Sequence, residues 1–257
     1  MSQMYRSGNP ALSDSTFDKS NYSEANWWEE NETNLMSIEG VAEKTGLLLL
    51  ITASTAILTA FSMPNSMPFI FIGAIGGFVL AMIIIFTNSM NPFLIGTYAA
   101  LEGLALGGIT WIFEVGLEAP GIGILAALLT FLILGAMIMI YRAGLIAWDE
   151  NTRIAVTSAV LAIMLIYVVS IIGSLSGWFH VPFIHGSGPI GIAFSLFVVG
   201  IGALCLVADF DFIERGVQRG APKQLEWRAA FGLMVTLIWL YLEILKLLAK
   251  LTAASRR

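Results

Sequence analysis

The chain has 257 residues, 57% of them apolar and 12% charged, and a net charge of −5. A soluble domain carries about 25% charged residues, so the composition argues against a water-soluble globular fold, and no basic patch points to nucleic acid. The single cysteine, Cys205, lies in an apolar run; this excludes CxxC metal or redox chemistry and leaves a small buried hydrophobe.

Residues 1–45 hold eight acids and three bases, and the remainder holds ten of each, so the net charge sits at the N-terminal end. Residues 1–35, rich in Ser, Asn and Glu, are expected to form a disordered acidic cytoplasmic tail. Within it, Trp27-Trp28 reads as an aromatic pair at the membrane interface, with a partner-binding motif as the alternative. The stretch before Gly46 is acidic rather than basic, so no cleavable leader is expected and the first span acts as its own insertion signal. Met36–Thr45 mixes apolar and charged residues and suggests an interfacial lead-in helix.

Seven apolar blocks follow: Gly46–Met63, Phe69–Thr87, Phe93–Glu114, Gly121–Tyr141, Ile154–Ser174, Pro189–Asp209 and Ala229–Leu251. About 20 such residues cross about 30 Å of hydrocarbon. The blocks are apolar all round, whereas strands of a membrane barrel would alternate over about ten residues. Short connections such as Pro64–Ser66 force antiparallel sequential neighbours. The predicted fold is an all-α integral membrane protein, a seven-helix bundle over residues 36–251 with a short basic tail over residues 252–257. Arg142, Arg153, Arg215, Arg219, Lys223 and Arg228 flank alternate loops on the side of Lys44, and the opposite loops up to residue 189 hold no Lys or Arg. This asymmetry places the N-terminus in the cytoplasm. Lys246, Lys250, Arg256 and Arg257 disagree, because they fall at the outer end of the last block. Either the C-terminus lies outside or that block is re-entrant; its length favours a full span. Gly73/Gly76/Gly77, Gly103/Gly107 and Gly200/Gly202 mark close helix packing.

Ionisable groups inside spans are costly and are functional candidates. Four carboxylates qualify: Glu102 in the third block, Asp209 and Asp211 at the inner end of the sixth, and Glu243 in the outer half of the seventh. Low dielectric disfavours a charged carboxylate, which suits a proton-sensing gate, and hard oxygen ligands suit cations. At 100° per residue, Thr236, Trp239, Glu243, Lys246 and Lys250 fall within about 80° of one another. This polar stripe should face the bundle interior or a water-filled cavity, and Glu243 and Lys246 at i, i+3 are placed to neutralise each other. His180 and His185 read as exposed loop histidines. Glu114 and Glu118 read as loop or interface residues. A Ser–Lys pair is not expected, because Lys246 reads as the only deep lysine. No catalytic constellation is found, and neither an enzyme nor a cofactor is expected.

Three stretches carry a family resemblance: Gly188-Pro-Ile-Gly-Ile-Ala-Phe-Ser-Leu-Phe, Val207-Ala-Asp-Phe-Asp-Phe-Ile-Glu-Arg-Gly and Trp239-Leu-Tyr-Leu-Glu-Ile-Leu-Lys-Leu-Leu. Together with Thr97-Tyr-Ala-Ala-Leu-Glu-Gly-Leu-Ala-Leu-Gly and Gly73-Ala-Ile-Gly-Gly, they resemble the transmembrane Bax-inhibitor-motif family, nearest its bacterial branch. The resemblance covers residues 36–251. It implies a seven-helix bundle with the last helix central, a pH-sensitive calcium leak, and a gate formed by an acid on the sixth helix and one on the seventh. Asp209 matches the first acid and Glu243 the second. The chain departs from the pattern in having Glu rather than Asp at position 243 and a wider interval between the two acids. If the sixth helix ends at Asp209, Glu243 lies about 20 Å deeper at 1.5 Å per residue, and pairing requires a longer sixth helix or a late seventh.

The leading expectation is a calcium leak channel of the bacterial inner membrane. Its gate is Asp209 and Glu243, with Glu102, Asp211 and Lys246 auxiliary. The competing expectation is a non-transporting interaction protein that modulates a membrane protease or stress response through its N-terminal tail.

Overall fold

Ser37 starts the first helix. Its hydroxyl accepts from the Gly40 amide (2.9 Å), and Glu39 stands in the first turn, where negative charge is favoured. This helix, α1 (Ile38–Ser62), begins eight residues before the apolar block. The expected lead-in segment is therefore the first part of the span itself. The computed structural model describes residues 35–63, 65, 67–146, 148–176 and 186–256. The acidic tail up to residue 34, with Trp27-Trp28, lies outside the described residues, as do His180 and His185.

Among the described residues six further helices follow: α2 (Met67–Phe86), α3 (Pro92–Gly116), α4 (Ile122–Arg142), α5 (Glu150–Ser176), α6 (Pro189–Gln218) and α7 (Leu225–Ser255). All seven are long and apolar enough to cross a membrane. Among the described residues the only extended pairing is a single bridge, Leu35 to Pro222. The chain is thus an all-helical membrane protein of seven spans. Phe61 and Phe93 are over 80% exposed; in water this would be a defect, but against lipid it is the expected contact.

Four helices end in the same way. After α2, α3, α4 and α6 one residue turns left-handed: Asn88 (φ 52°), Glu118 (φ 47°), Gly144 (φ 65°) and Gly220 (φ 64°). The next amide then bonds back five residues, as in Ala119 N to Glu114 O (2.9 Å) and Ala221 N to Gly216 O (3.1 Å). This is the Schellman stop, which satisfies the last carbonyls. Glu118 fills the position with a Cβ that disfavours it, at a cost of about 1–2 kcal/mol. Glu118→Gly is therefore expected to raise stability by about 1 kcal/mol in thermal melts. At the start of α5, hydrogen bonds from the Thr152 side chain and amide hold the Asp149 carboxyl below its ordinary range.

The stop at Gly220 changes one expectation. The sixth span does not end at Asp209: α6 runs nine residues further, supported by an Asp211–Arg215 ion pair one turn apart (2.6 Å). Asp209 therefore lies inside a helix. The last helix also outruns its apolar block at both ends, and its 31 residues extend about 46 Å, more than a full crossing.

The chain forms two compact units. One comprises the described residues up to Ile112 with Asp209–Val235. Within it α1 and α3 pack closely: the Thr52 hydroxyl reaches both the Leu48 and Ala99 carbonyls (3.0 Å each). A Cβ at Gly103 would meet Thr55, and one at Gly107 the Ala56 backbone. On α2, a Cβ at Gly73 would meet the Leu101 carbonyl at 2.5 Å. These glycines let backbones touch where lipid offers no hydrophobic drive. The other unit comprises Phe113–Ala208 with Thr236–Arg257. There Gly202 has Leu240 at 3.1 Å, but Gly200 has nothing within 4 Å and is not a packing residue. Gly107→Ala is expected to cost about 1–3 kcal/mol through overpacking, and Gly200→Ala nothing or a slight gain. Melting both variants in the same detergent checks the contrast.

Candidate functional site

The polar stripe of α7 is largely covered: Thr236, Glu243 and Lys250 are buried, and Trp239 and Lys246 half-buried. The most apolar stretch of this helix is 67% buried, against at most 44% in any other helix. Glu243 is 2% exposed and takes three hydrogen bonds. Its Oε1 accepts from Lys246 Nζ (2.6 Å) and from Trp239 Nε1 (3.2 Å), and its Oε2 accepts from the Tyr167 hydroxyl (2.9 Å). Trp239 and Lys246 lie one turn before and one turn after the acid, as the helical period places them. Tyr167 comes from α5 and is itself set by an edge contact with Phe194 of α6 (6.4 Å). Lys246 also donates to the Tyr167 oxygen (3.4 Å) and lies 4.6 Å from the centre of its ring. The expected Glu243–Lys246 pair is therefore real, but it is part of a four-residue cluster.

Lys250 lies one turn further on and is deeper than Lys246. It is 8% exposed and donates to the Ser195 hydroxyl (2.8 Å) and the Gly191 carbonyl (3.0 Å), both on α6. This corrects the expectation that Lys246 is the only deep lysine and that no Ser–Lys pair forms. The two lysines differ in kind. Lys250 is bolted to a neighbouring helix, whereas Lys246 has 36% of its side chain exposed. At the end of α7, Arg256 donates to the Glu118 carbonyl (3.2 Å). Glu114 accepts from the Gly121 and Gly123 amides (3.1 and 3.3 Å) and so caps the start of α4.

The other candidate acids belong to the first unit. Asp209 is fully buried. Asp211, expected as an auxiliary acid, is paired with Arg215. Glu102 is the eleventh of the 25 residues of α3. It shares a hydrogen bond with Tyr98 one turn earlier, and its carboxylate rests where a Cβ on Gly77 of α2 would come within 2.8 Å. Tyr98 in turn meets Phe231 edge-on at 4.9 Å.

The sequence did not reveal a second buried acid on α7. Glu226, in the first turn, is fully buried. It accepts from the Ser37 amide (2.9 Å) and hydroxyl (3.1 Å) and pairs with Lys44, which also lies over the Trp227 ring at 5.6 Å. Arg228, expected as a flanking positive charge, is 2% exposed and donates to the Ile84 carbonyl at the end of α2 (3.4 Å). Both lie just outside the apolar block, where charge reads as loop. Tyr167 and Ser195 gave only the signal of a hydroxyl within an apolar run.

No curated protein matches the chain. A family model described as Bax inhibitor 1 like matches residues 9–253. That match takes in the first six described helices, α7 as far as residue 253 and all four candidate acids, and it contains the residues 36–251 over which the resemblance was read, so the chain belongs to the Bax inhibitor 1-like family.

Proposed function

We propose that this protein is a pH-sensitive cation leak channel of the bacterial inner membrane, with calcium as a permeant ion and the N-terminus in the cytoplasm. The observation that carries the reading is Glu243, a carboxylate on the most buried span with hydrogen-bond donors on three sides. An ionisable group this deep within a span is costly and marks an ion or proton pathway. Asp209, buried on α6 and matching the first gate acid of the family pattern, is a second proposed pH-sensing acid. Glu102 is an auxiliary pore acid. The Lys and Arg asymmetry of the short loops supports the orientation.

Purified protein in liposomes loaded with a calcium dye tests the reading. Wild type is expected to admit calcium with a rate that depends on pH. Glu243→Gln and Asp209→Asn are expected to flatten that dependence. Unchanged flux and unchanged pH dependence in both variants would overturn the assignment.

A further inference from the structure

We infer that Lys246 is a tethered cation that occupies the Glu243 carboxylate and must be displaced before a permeant cation can bind there. The inference rests on the reading of Glu243 as the cation-facing acid, and it adds the device that keeps that acid closed.

The argument starts from the arrangement of charge. Glu243 is nearly inaccessible, and its two oxygens are taken by Lys246, Trp239 and Tyr167. Of these donors only Lys246 carries positive charge, and its ammonium sits at 2.6 Å, where an incoming cation would have to sit. Trp239 and Tyr167 are neutral and can remain beside a carboxylate that binds a metal through its other lone pairs. The ammonium cannot, because two cations on one oxygen repel.

The contrast between the two lysines shows which one moves. Lys250 is held by two acceptors on α6 and is buried. Among the described residues Lys246 has Glu243 and the Tyr167 oxygen as its acceptors, and over a third of its side chain is exposed. A flexible four-carbon stem whose side chain is over one-third exposed can carry the ammonium away, and the arriving cation then supplies the counter-charge that the buried carboxylate needs. The Tyr167 ring, 4.6 Å from the ammonium, offers a second resting place during that swing. A tethered group competes at an effective concentration on the order of millimolar or more. Cations at lower concentration therefore find the site closed, and divalent ions displace the monovalent ammonium more readily than sodium or potassium does.

The test uses the full chain in detergent, titrated with calcium chloride by calorimetry, and the same protein in dye-loaded liposomes. Lys246→Gln keeps a donor to Glu243 but removes the charge. It is expected to bind calcium at least tenfold more tightly than wild type, and Lys246→Arg to behave as wild type. The gain should vanish in the Lys246→Gln/Glu243→Gln double variant. In wild type, calcium should increase labelling of Lys246 by an amine-reactive reagent relative to Lys250, a readout that needs no variant. If calcium neither binds Lys246→Gln more tightly nor exposes Lys246 in wild type, the inference is wrong, whatever the flux. If tighter binding appears but no variant conducts, the tethered cation stands and the channel reading fails.

Discussion

Replacing Glu243 with leucine is expected to lower the stability of the folded chain by about 3 kcal/mol. Removing one member of a buried ion pair strands the other, at a typical cost of about 3–5 kcal/mol. The lower end applies because the Lys246 side chain is more than one-third exposed and is not fully stranded in the interior. The Tyr167 hydroxyl and the Trp239 N–H lose their acceptor as well. The companion variant Lys246→Met leaves a carboxylate that is 2% exposed without its counter-charge and should cost at least as much. The double variant Glu243→Leu/Lys246→Met should recover most of the loss, because neither charge is then stranded. Tyr167→Phe, which removes one interhelical hydrogen bond within a span, should cost only about 1 kcal/mol. Thermal melts of the four variants in one detergent check the series. Additive losses in the double variant would show that the pair is not coupled.

The site was legible in proportion to its locality along the chain. The stripe Trp239, Glu243 and Lys246 follows from helical period alone, and the contacts among these residues are the ones the spacing implies. What periodicity cannot supply is the partner on another helix. Tyr167 sits 76 positions from Glu243, and Ser195 sits 55 from Lys250. A hydroxyl in an apolar run therefore gave no sign of its role, and the depth of Lys250 was misjudged. Span ends were blurred for a related reason. Hydropathy falls at Asp209 and Asp211, but helicity depends on local pairing and on where the backbone can turn left-handed, so α6 continues through the Asp211–Arg215 pair to Gly220. In the same way α1 begins at the Ser37 cap and not where apolar residues take over. Charged flanks read as loop in sequence are helix here, and two of them, Glu226 and Arg228, are buried.

Glu226 is the site of the second large expected effect. This carboxylate is fully buried. It ties the beginning of the described chain to the first turn of α7. Both Ser37 donors point at its Oε1, and Lys44 pairs with its Oε2. Beside them, the Met36 amide donates to the Ala221 carbonyl (2.7 Å), and Leu35 bridges to Pro222. Glu226→Ala would strand the Ser37 amide and a lysine whose side chain is only 17% exposed. The expected cost is about 3–5 kcal/mol, with faster amide exchange concentrated in the first two turns of α1. Lys44→Met should fall in the same range, and a double-mutant cycle should give a coupling of about 2 kcal/mol or more, because the charges are in direct contact. Gly40→Ala should act in the same direction without removing any charge, since the new methyl would collide with the Glu226 carboxylate. Exchange that rises evenly over the whole chain in all three variants would show that Glu226 sets global stability and does not act as a local clasp.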